Sequence, residues 1–218
     1  MEIFSVVNRV FCLSLLISFL ISCNEGNQQN AEPVLLNDSS HQDSARSPEL
    51  KIPEYVPDSM KNTFASVKVG YIDFEGVEKS GFLIVHKDLG KEVVEIFQLL
   101  KTIGFPIDKI NPMSDYGWDD DLSMEDNNTS AFNYRRIKNS KQISNHALGC
   151  AIDLNPVQNP FVKRGVFSPA NSYYERDSLG VVLKEGKVVQ IFKDYGWSWG
   201  GDWRSVQDYQ HFEKRLKR

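Results

Sequence analysis

Ser144-Asn145-His146-Ala147-Leu148-Gly149-Cys150-Ala151-Ile152-Asp153-Leu154-Asn155-Pro156 reads as a turn that runs into a short strand. Gly149 lets the backbone turn after His146, because a residue without Cβ enters left-handed conformations at little cost. Across Ala151 to Leu154 the side chains alternate, so Asp153 can point one way while Ile152 packs the other. Cys150 lies in the apolar part of this stretch and reads as a buried structural thiol, not a nucleophile. Further out, Val67-Lys68-Val69-Gly70-Tyr71-Ile72 alternates and is rich in β-branched residues, which predicts a strand. Gly81 to Val85 predicts a second, with Glu75 to Ser80 as the hairpin between them. Asp88 is placed to cap a helix whose apolar residues, Leu89, Val93, Ile96, Phe97 and Leu100, recur at helical spacing. Gly104 ends that helix and Pro106 prevents its resumption. Val188 to Phe192 reads as a further strand. Helix and strand mix without a repeated strand-helix-strand rhythm, which predicts an α+β fold: a small, mostly antiparallel sheet with flanking helices.

A second segment carries Gly196-Trp197-Ser198-Trp199-Gly200-Gly201-Asp202-Trp203 and then Asp208-Tyr209-Gln210-His211-Phe212-Glu213. Catalytic zinc takes three protein ligands from His, Asp or Glu and keeps a fourth position for water. His146, Asp153 and His211 offer two imidazoles and one carboxylate, a set that leaves net positive charge on the ion. Asp208, three residues before His211, can reach a water at such a site without binding the metal, and can move its proton. The His-Glu-x-x-His helix of other zinc hydrolases does not occur in the chain. On spacing alone each group keeps a plainer reading. Asp153 could cap a turn with Asn155 and Pro156, Asp208 could be a helix cap, and the tryptophans could be core. His41 and His86 receive only the plainer reading.

Ser-x-His-x-x-Gly-x-Ala-x-Asp at Ser144 to Asp153, with Asp-x-x-His at Asp208 to His211, resembles the zinc D-alanyl-D-alanine carboxypeptidase family. That family includes vancomycin-resistance carboxypeptidases and dipeptidases and phage L-alanyl-D-glutamate endolysins. Asp119 to Met124, Asn127 to Arg135 and Gly196 to Trp203 resemble its carboxypeptidase and endolysin branch in order and spacing. The likeness thus runs from about Gly81 to Glu213. The resemblance implies a hedgehog/DD-peptidase-like fold and one Zn2+ ion held by His146, Asp153 and His211. It further implies Asp208 as general base, where the dipeptidase branch has Glu, and Arg135 as the group that orients substrate and stabilises developing charge on the carbonyl oxygen. Arg136, its neighbour on an extended chain, should point elsewhere. Ser144 is implied near the substrate and Trp199 in the substrate-binding wall. The activity implied is hydrolysis of peptidoglycan stem peptides, first as a D-alanyl-D-alanine carboxypeptidase. An L-alanyl-D-glutamate endopeptidase, a non-catalytic peptidoglycan-binding lipoprotein and a zinc peptidase for unrelated peptides stand as alternatives.

The N-terminus reads as an address. Arg9 flanks an apolar run, Val10 to Ile21, that is short for a membrane span and closes on Leu20-Ile21-Ser22-Cys23. This resembles the lipobox of bacterial lipoproteins and implies a signal peptide over 1–22, cleavage before Cys23 and a lipid on that residue. An ordinary signal peptide that contains Cys, or an uncleaved anchor, is the competing reading. Asn24, where Asp is linked to inner-membrane retention, points to an outer-membrane lipoprotein facing the periplasm. Residues 23–59 are rich in Asn, Gln, Ser, Asp and Pro and read as a tether, with the folded domain over 60–218. Some thirty such residues reach roughly 30 Å. With Cys12 removed and Cys23 acylated, Cys150 stands alone and no internal disulfide can form. The formal net charge of -4, without a basic stripe, argues against a nucleic-acid partner. The acidic run Asp119 to Asp126 lacks EF-hand spacing, so it reads as a loop near the substrate channel.

Overall fold

The chain enters its core before Met60. In the computed structural model, which describes residues 51–138 and 140–216, Val56 is fully buried against Phe64 and Phe132, with Ile52 packed beside it. The signal segment, Cys23 and nearly all of the tether lie outside the described residues. A short helix, α1 (Asp58–Lys61), leads into a long hairpin of β1 (Phe64–Ile72) and β2 (Glu78–His86). The register sets Val67 opposite Leu83 and Val69 opposite Gly81. Val69, Tyr71, Leu83 and Val85 are buried. The turn is tighter than the sequence suggests. Asp73 Oδ1 accepts from the backbone N–H groups of Glu75 and Val77 at 3.1 and 2.8 Å, which brings β2 in at Glu78 instead of Gly81.

The hairpin's buried face carries α2 (Gly90–Thr102), whose Val93, Ile96, Phe97 and Leu100 form the predicted apolar stripe. Its approach is a 3₁₀ turn, Lys87–Leu89, capped by His86 and not by Asp88. The imidazole Nδ1 of His86 accepts from the Asp88 N–H at 3.3 Å. Gly104 ends the helix in a left-handed conformation (φ +71°) as expected. A short helix, α3 (Asp120–Glu125), then begins at the capping carboxylate of Asp119.

The rest of the domain is built from short strands. β3 (Ala151–Asp153), β8 (His211–Glu213) and β6 (Ser198–Trp199) form one antiparallel sheet with β8 in the middle. β4 (Phe161–Lys163) lies between β5 (Val166–Ser168) and β7 (Gln207–Asp208) in another. The fold is therefore α+β with three small antiparallel sheets, not a single one. Val188 to Phe192 is not a strand but part of α4 (Lys187–Asp194). Its β-branched content misleads. Val188, Val189 and Phe192 fall on one side of a helix and are buried, while Lys187, Gln190 and Lys193 face out. Packing decides where propensity is weak.

The core between α4 and the β3–β8–β6 sheet centres on Phe212, which is fully buried. Its ring stacks on Phe192 with centroids 3.9 Å apart, and its strand partners are Ile152 and Trp199. Phe212→Ala should therefore cost about 3–5 kcal/mol, seen as a lower midpoint in thermal or denaturant unfolding. A loss below about 1 kcal/mol would mean that this stack does not organise the sheet.

Candidate active site

His146 stands in a 3₁₀ turn, Asn145–Leu148, capped by Ser144, whose hydroxyl accepts from the His146 N–H at 3.2 Å. The turn closes at Gly149 with φ +64°, and a Cβ there would lie 2.4 Å from the His86 nitrogen. Left-handed backbone and close approach both demand glycine. His86 N–H donates to the Gly149 carbonyl at 2.8 Å, so the end of β2 holds this turn in place. Strand β3 follows at once. Its pairing with β8 sets Asp153 directly opposite His211, with Ile152 and Phe212 on the core side.

Three side chains, from the 3₁₀ turn, β3 and β8, thus converge, all buried: His146, Asp153 and His211. His146 Nε2 lies 3.2 Å from Asp153 Oδ2, His211 Nδ1 lies 3.0 Å from Asp153 Oδ1, and the two ring nitrogens are 3.1 Å apart. Ligand bonds of zinc length, arranged tetrahedrally, place neighbouring ligand atoms about 3.3 Å apart. The donor set and its spacing therefore fit such an ion. The outer nitrogens are engaged as well. His146 Nδ1 bonds to the Ala131 carbonyl, and His211 Nε2 bonds to Glu213 Oε2 at 3.2 Å. These partners leave His146 Nε2 and His211 Nδ1 to face inward. Among the described residues this is the one cluster of His, Cys, Asp and Glu that could hold a metal.

The electrostatics agree. Burial would raise Asp153, but the two imidazoles outweigh it and hold the carboxyl well below the usual carboxylate range. Burial would lower His211, but its bonds to Asp153 and Glu213 lift it to about 10. A buried carboxylate that gathers positive charge so strongly marks a point suited to a cation.

Asp208 comes in on β7, beside this cluster. Its Oδ1 is buried without a hydrogen-bond partner. Burial pushes Asp208 up to about 6, with His211 and His146 pulling against that and Asp153 adding to it. A carboxylate poised near neutral pH, with one free oxygen, can take a proton and give it back. Arg135 reaches the same space. The segment that carries it is pinned to the His146 turn, since the Ser144 N–H donates to the Arg135 carbonyl at 3.1 Å. Its Nη2 pairs with Asp120 at 2.8 Å, while its Nε is buried and unpartnered. Arg136 turns away, as expected, and donates to the Lys141 carbonyl.

These groups line a cleft of about 780 Å³. Ser144 lies in its wall, and Asp120, Asp121 and Met124 bring the acidic stretch there as a helix instead of a loop. That stretch is occupied by partners: Asp120 by Arg135, Asp121 by Lys138 and Asp126 by Lys109. Trp199 is not in the cleft. It is 2 % exposed, packs in the core and donates through Nε1 to the Tyr209 carbonyl at 2.8 Å. Strand pairing explains this, because Trp199 sits opposite the core residue Phe212. Trp203 takes the position expected of Trp199, lining the cleft with its ring 5.3 Å from that of His211. Sequence reasoning also missed Glu213 and the β4–β5 hairpin, which brings Phe161, Lys163 and Ser168 to the rim. The signal for Glu213 was its two-residue separation from His211, which in a strand means a shared face. Cys150 is buried and its thiol is pushed up to about 11, chiefly by burial, which suits a structural role.

Two imidazoles and a carboxylate on a turn and two strands, with a free acid oxygen and a guanidinium at one cleft, are the equipment of metal-dependent hydrolases. Residues 138–214 match the family model described as D-alanyl-D-alanine carboxypeptidase. The match supports the zinc-dependent peptidase family that the motifs at Ser144 and Asp208 resemble. The match includes His146, Asp153, Asp208 and His211; Arg135 and the acidic stretch precede it. No solved structure matches the chain. The family implies a hydrolytic enzyme, and His146, Asp153 and His211 form a possible metal-binding triad.

Gly149→Ala tests how the site is held. It combines a strained left-handed backbone with a clash against the β2 backbone, and should cost more than about 1 kcal/mol in unfolding free energy. Wild-type stability in this variant would show that the turn carrying His146 is not held as described.

Proposed function

We propose that the chain is a D-alanyl-D-alanine carboxypeptidase that trims peptidoglycan stem peptides, with one zinc ion on His146, Asp153 and His211. The observation that carries this reading is the spacing of the three ligating atoms beside the unpartnered oxygen of Asp208. Zinc, when bound, supplies Lewis acidity that polarises a carbonyl and acidifies water.

The chain's own groups do the rest. Asp208 accepts a proton from the attacking water at its free Oδ1 and returns it to the leaving amine. Its elevated affinity for protons makes both transfers accessible near neutral pH. Arg135, held by Asp120, presents its remaining N–H donors to the oxygen on which charge develops. Ser144 keeps His146 in place through its cap and offers a polar wall to the substrate. Arg135 and Lys138 are paired with Asp120 and Asp121, whereas Lys163 forms no ion pair among the described residues and gives the cleft a cation that suits a substrate ending in a free carboxylate. We further propose that the protein works in the cell envelope as a lipoprotein anchored through Cys23, facing the periplasm from the outer membrane. The Leu20-Ile21-Ser22-Cys23 stretch supports that part.

Digestion of purified peptidoglycan fragments, read by mass spectrometry, should show loss of one terminal D-Ala that a chelator abolishes and zinc restores. A cut after L-Ala would instead make the enzyme an endopeptidase. Asp208→Ala should lose turnover and keep its zinc; near-native rates in that variant would remove Asp208 from its role. His146→Ala should lose metal and activity together. Cys23→Ala should move the protein from the membrane to the soluble fraction, and unchanged membrane association would exclude the lipid anchor at that residue.

A further inference from the structure

Glu213 has no part in the chemistry above, yet it is built into the centre. It follows His211 by two residues on β8, so both side chains leave the same face while Phe212 between them enters the core. One oxygen, Oε2, meets both His211 Nε2 at 3.2 Å and Asn145 Nδ2 at 2.6 Å. Asn145 directly precedes His146 in the turn that carries the other imidazole. A single carboxylate oxygen therefore joins the ring of one ligand to the neighbour of the other.

Glu213 is not a further ligand in this arrangement. It bonds the ring nitrogen of His211 opposite to Nδ1, and Nδ1 is the atom that faces Asp153 and His146. Its carboxylate thus lies behind His211. The other imidazole is held in the same way from behind, but there the acceptor is the Ala131 backbone carbonyl. A backbone acceptor comes with the fold. The one behind His211 depends on a side chain, and on that side chain keeping its negative charge and acceptor geometry.

We propose that Glu213 is a positioning residue of the metal centre. It fixes the His211 ring so that Nδ1 points inward, and through Asn145 it ties strand β8 to the turn bearing His146. The inference rests on the zinc reading given above. Acceptors of this kind behind a ligating imidazole are worth 10–100-fold in metal affinity.

The test is zinc affinity of the full chain, measured by competition with a chromophoric chelator, for wild type, Glu213→Gln and Asn145→Ala. Glu213→Gln places an amide where a carboxylate accepts two bonds and should bind zinc about 10–100-fold more weakly. Asn145→Ala keeps the acceptor behind His211 and loses only the tie, so its affinity should fall by less. Unfolding midpoints of the chelator-treated proteins distinguish a specific loss of zinc affinity from general damage to the fold. At saturating zinc, Glu213→Gln should recover most of its turnover, whereas Asp208→Ala should not. Equal zinc affinity in wild type and both variants would overturn the role of Glu213 and leave the zinc reading standing. Wild type that binds no zinc would overturn the reading on which the inference rests.

Discussion

Three residue pairs between β3 and β8 govern the site. Because Asp153 faces His211, Ile152 faces Phe212 and Ala151 faces Glu213, one register decides both what is buried and what can bind. A slip of one residue by β3 would turn Asp153 into the core and Ile152 into the cleft, and a slip by β8 would do the same to His211 and Phe212. The core side makes that slip costly. Phe212 is clamped between Phe192 of α4 and the sheet, and Trp199 of β6 closes the same layer. Hydrophobic packing thus holds a polar constellation that could not hold itself. The His146 turn is added to this frame from the other end of β3, where Gly149 lets it press against the β2 backbone.

A buried carboxylate between two imidazoles is a costly thing to fold around. Such a cluster adds little net stability, since desolvation consumes most of the attraction. Its persistence here follows from rigid strands and from the partners behind each ring. Asp208 shows the opposite balance. It lies half-buried in the cleft near Asp153, and burial raises it. Two carboxylates within one site are thereby driven apart in proton affinity, one held ionised and one poised to exchange a proton. On the proposed reading, that divergence separates a metal-binding carboxylate from an acid–base one in the same cleft.

The legible parts of this chain were those in which local pattern and tertiary role coincide. Asp153 and Ile152 alternate because a strand with one buried face must, and α2 shows its stripe because it packs on a single sheet. Gly149 and Gly104 were readable because positive φ selects glycine. The missed parts depended on distant partners. Val188, Val189 and Phe192 suit a strand by composition and become a helix because α4 lays them against Phe212. Trp199 and Trp203 are the same residue type four positions apart, and only pairing with β8 sends the first into the core. The β4–β5 hairpin is short, with a turn at Arg164 and Gly165, and nothing local ties it to β7. Glu213 was in view but silent, since the value of a carboxylate behind a ligand depends on which ring nitrogen faces inward.

The two kinds of element divide the work of the cleft. The candidate metal ligands rest on β3, β8 and a turn braced by β2, all fixed by core packing. The walls come from α3, from the segment bearing Arg135 and from the β4–β5 hairpin, which share little of that core. Chemistry placed on rigid strands tolerates change in the walls, because a wall residue can be exchanged without shifting a register. On the proposed reading, the choice between a terminal D-Ala and an internal bond then belongs to the walls. Lys163 on β4 is suited to influence it: Phe161 on the same strand is paired with Asp208, and two residues further Lys163 leaves the same face into the cleft. On that reading, a cation at this position favours a substrate that ends in a carboxylate, and it can change without disturbing His146, Asp153, His211 or Asp208.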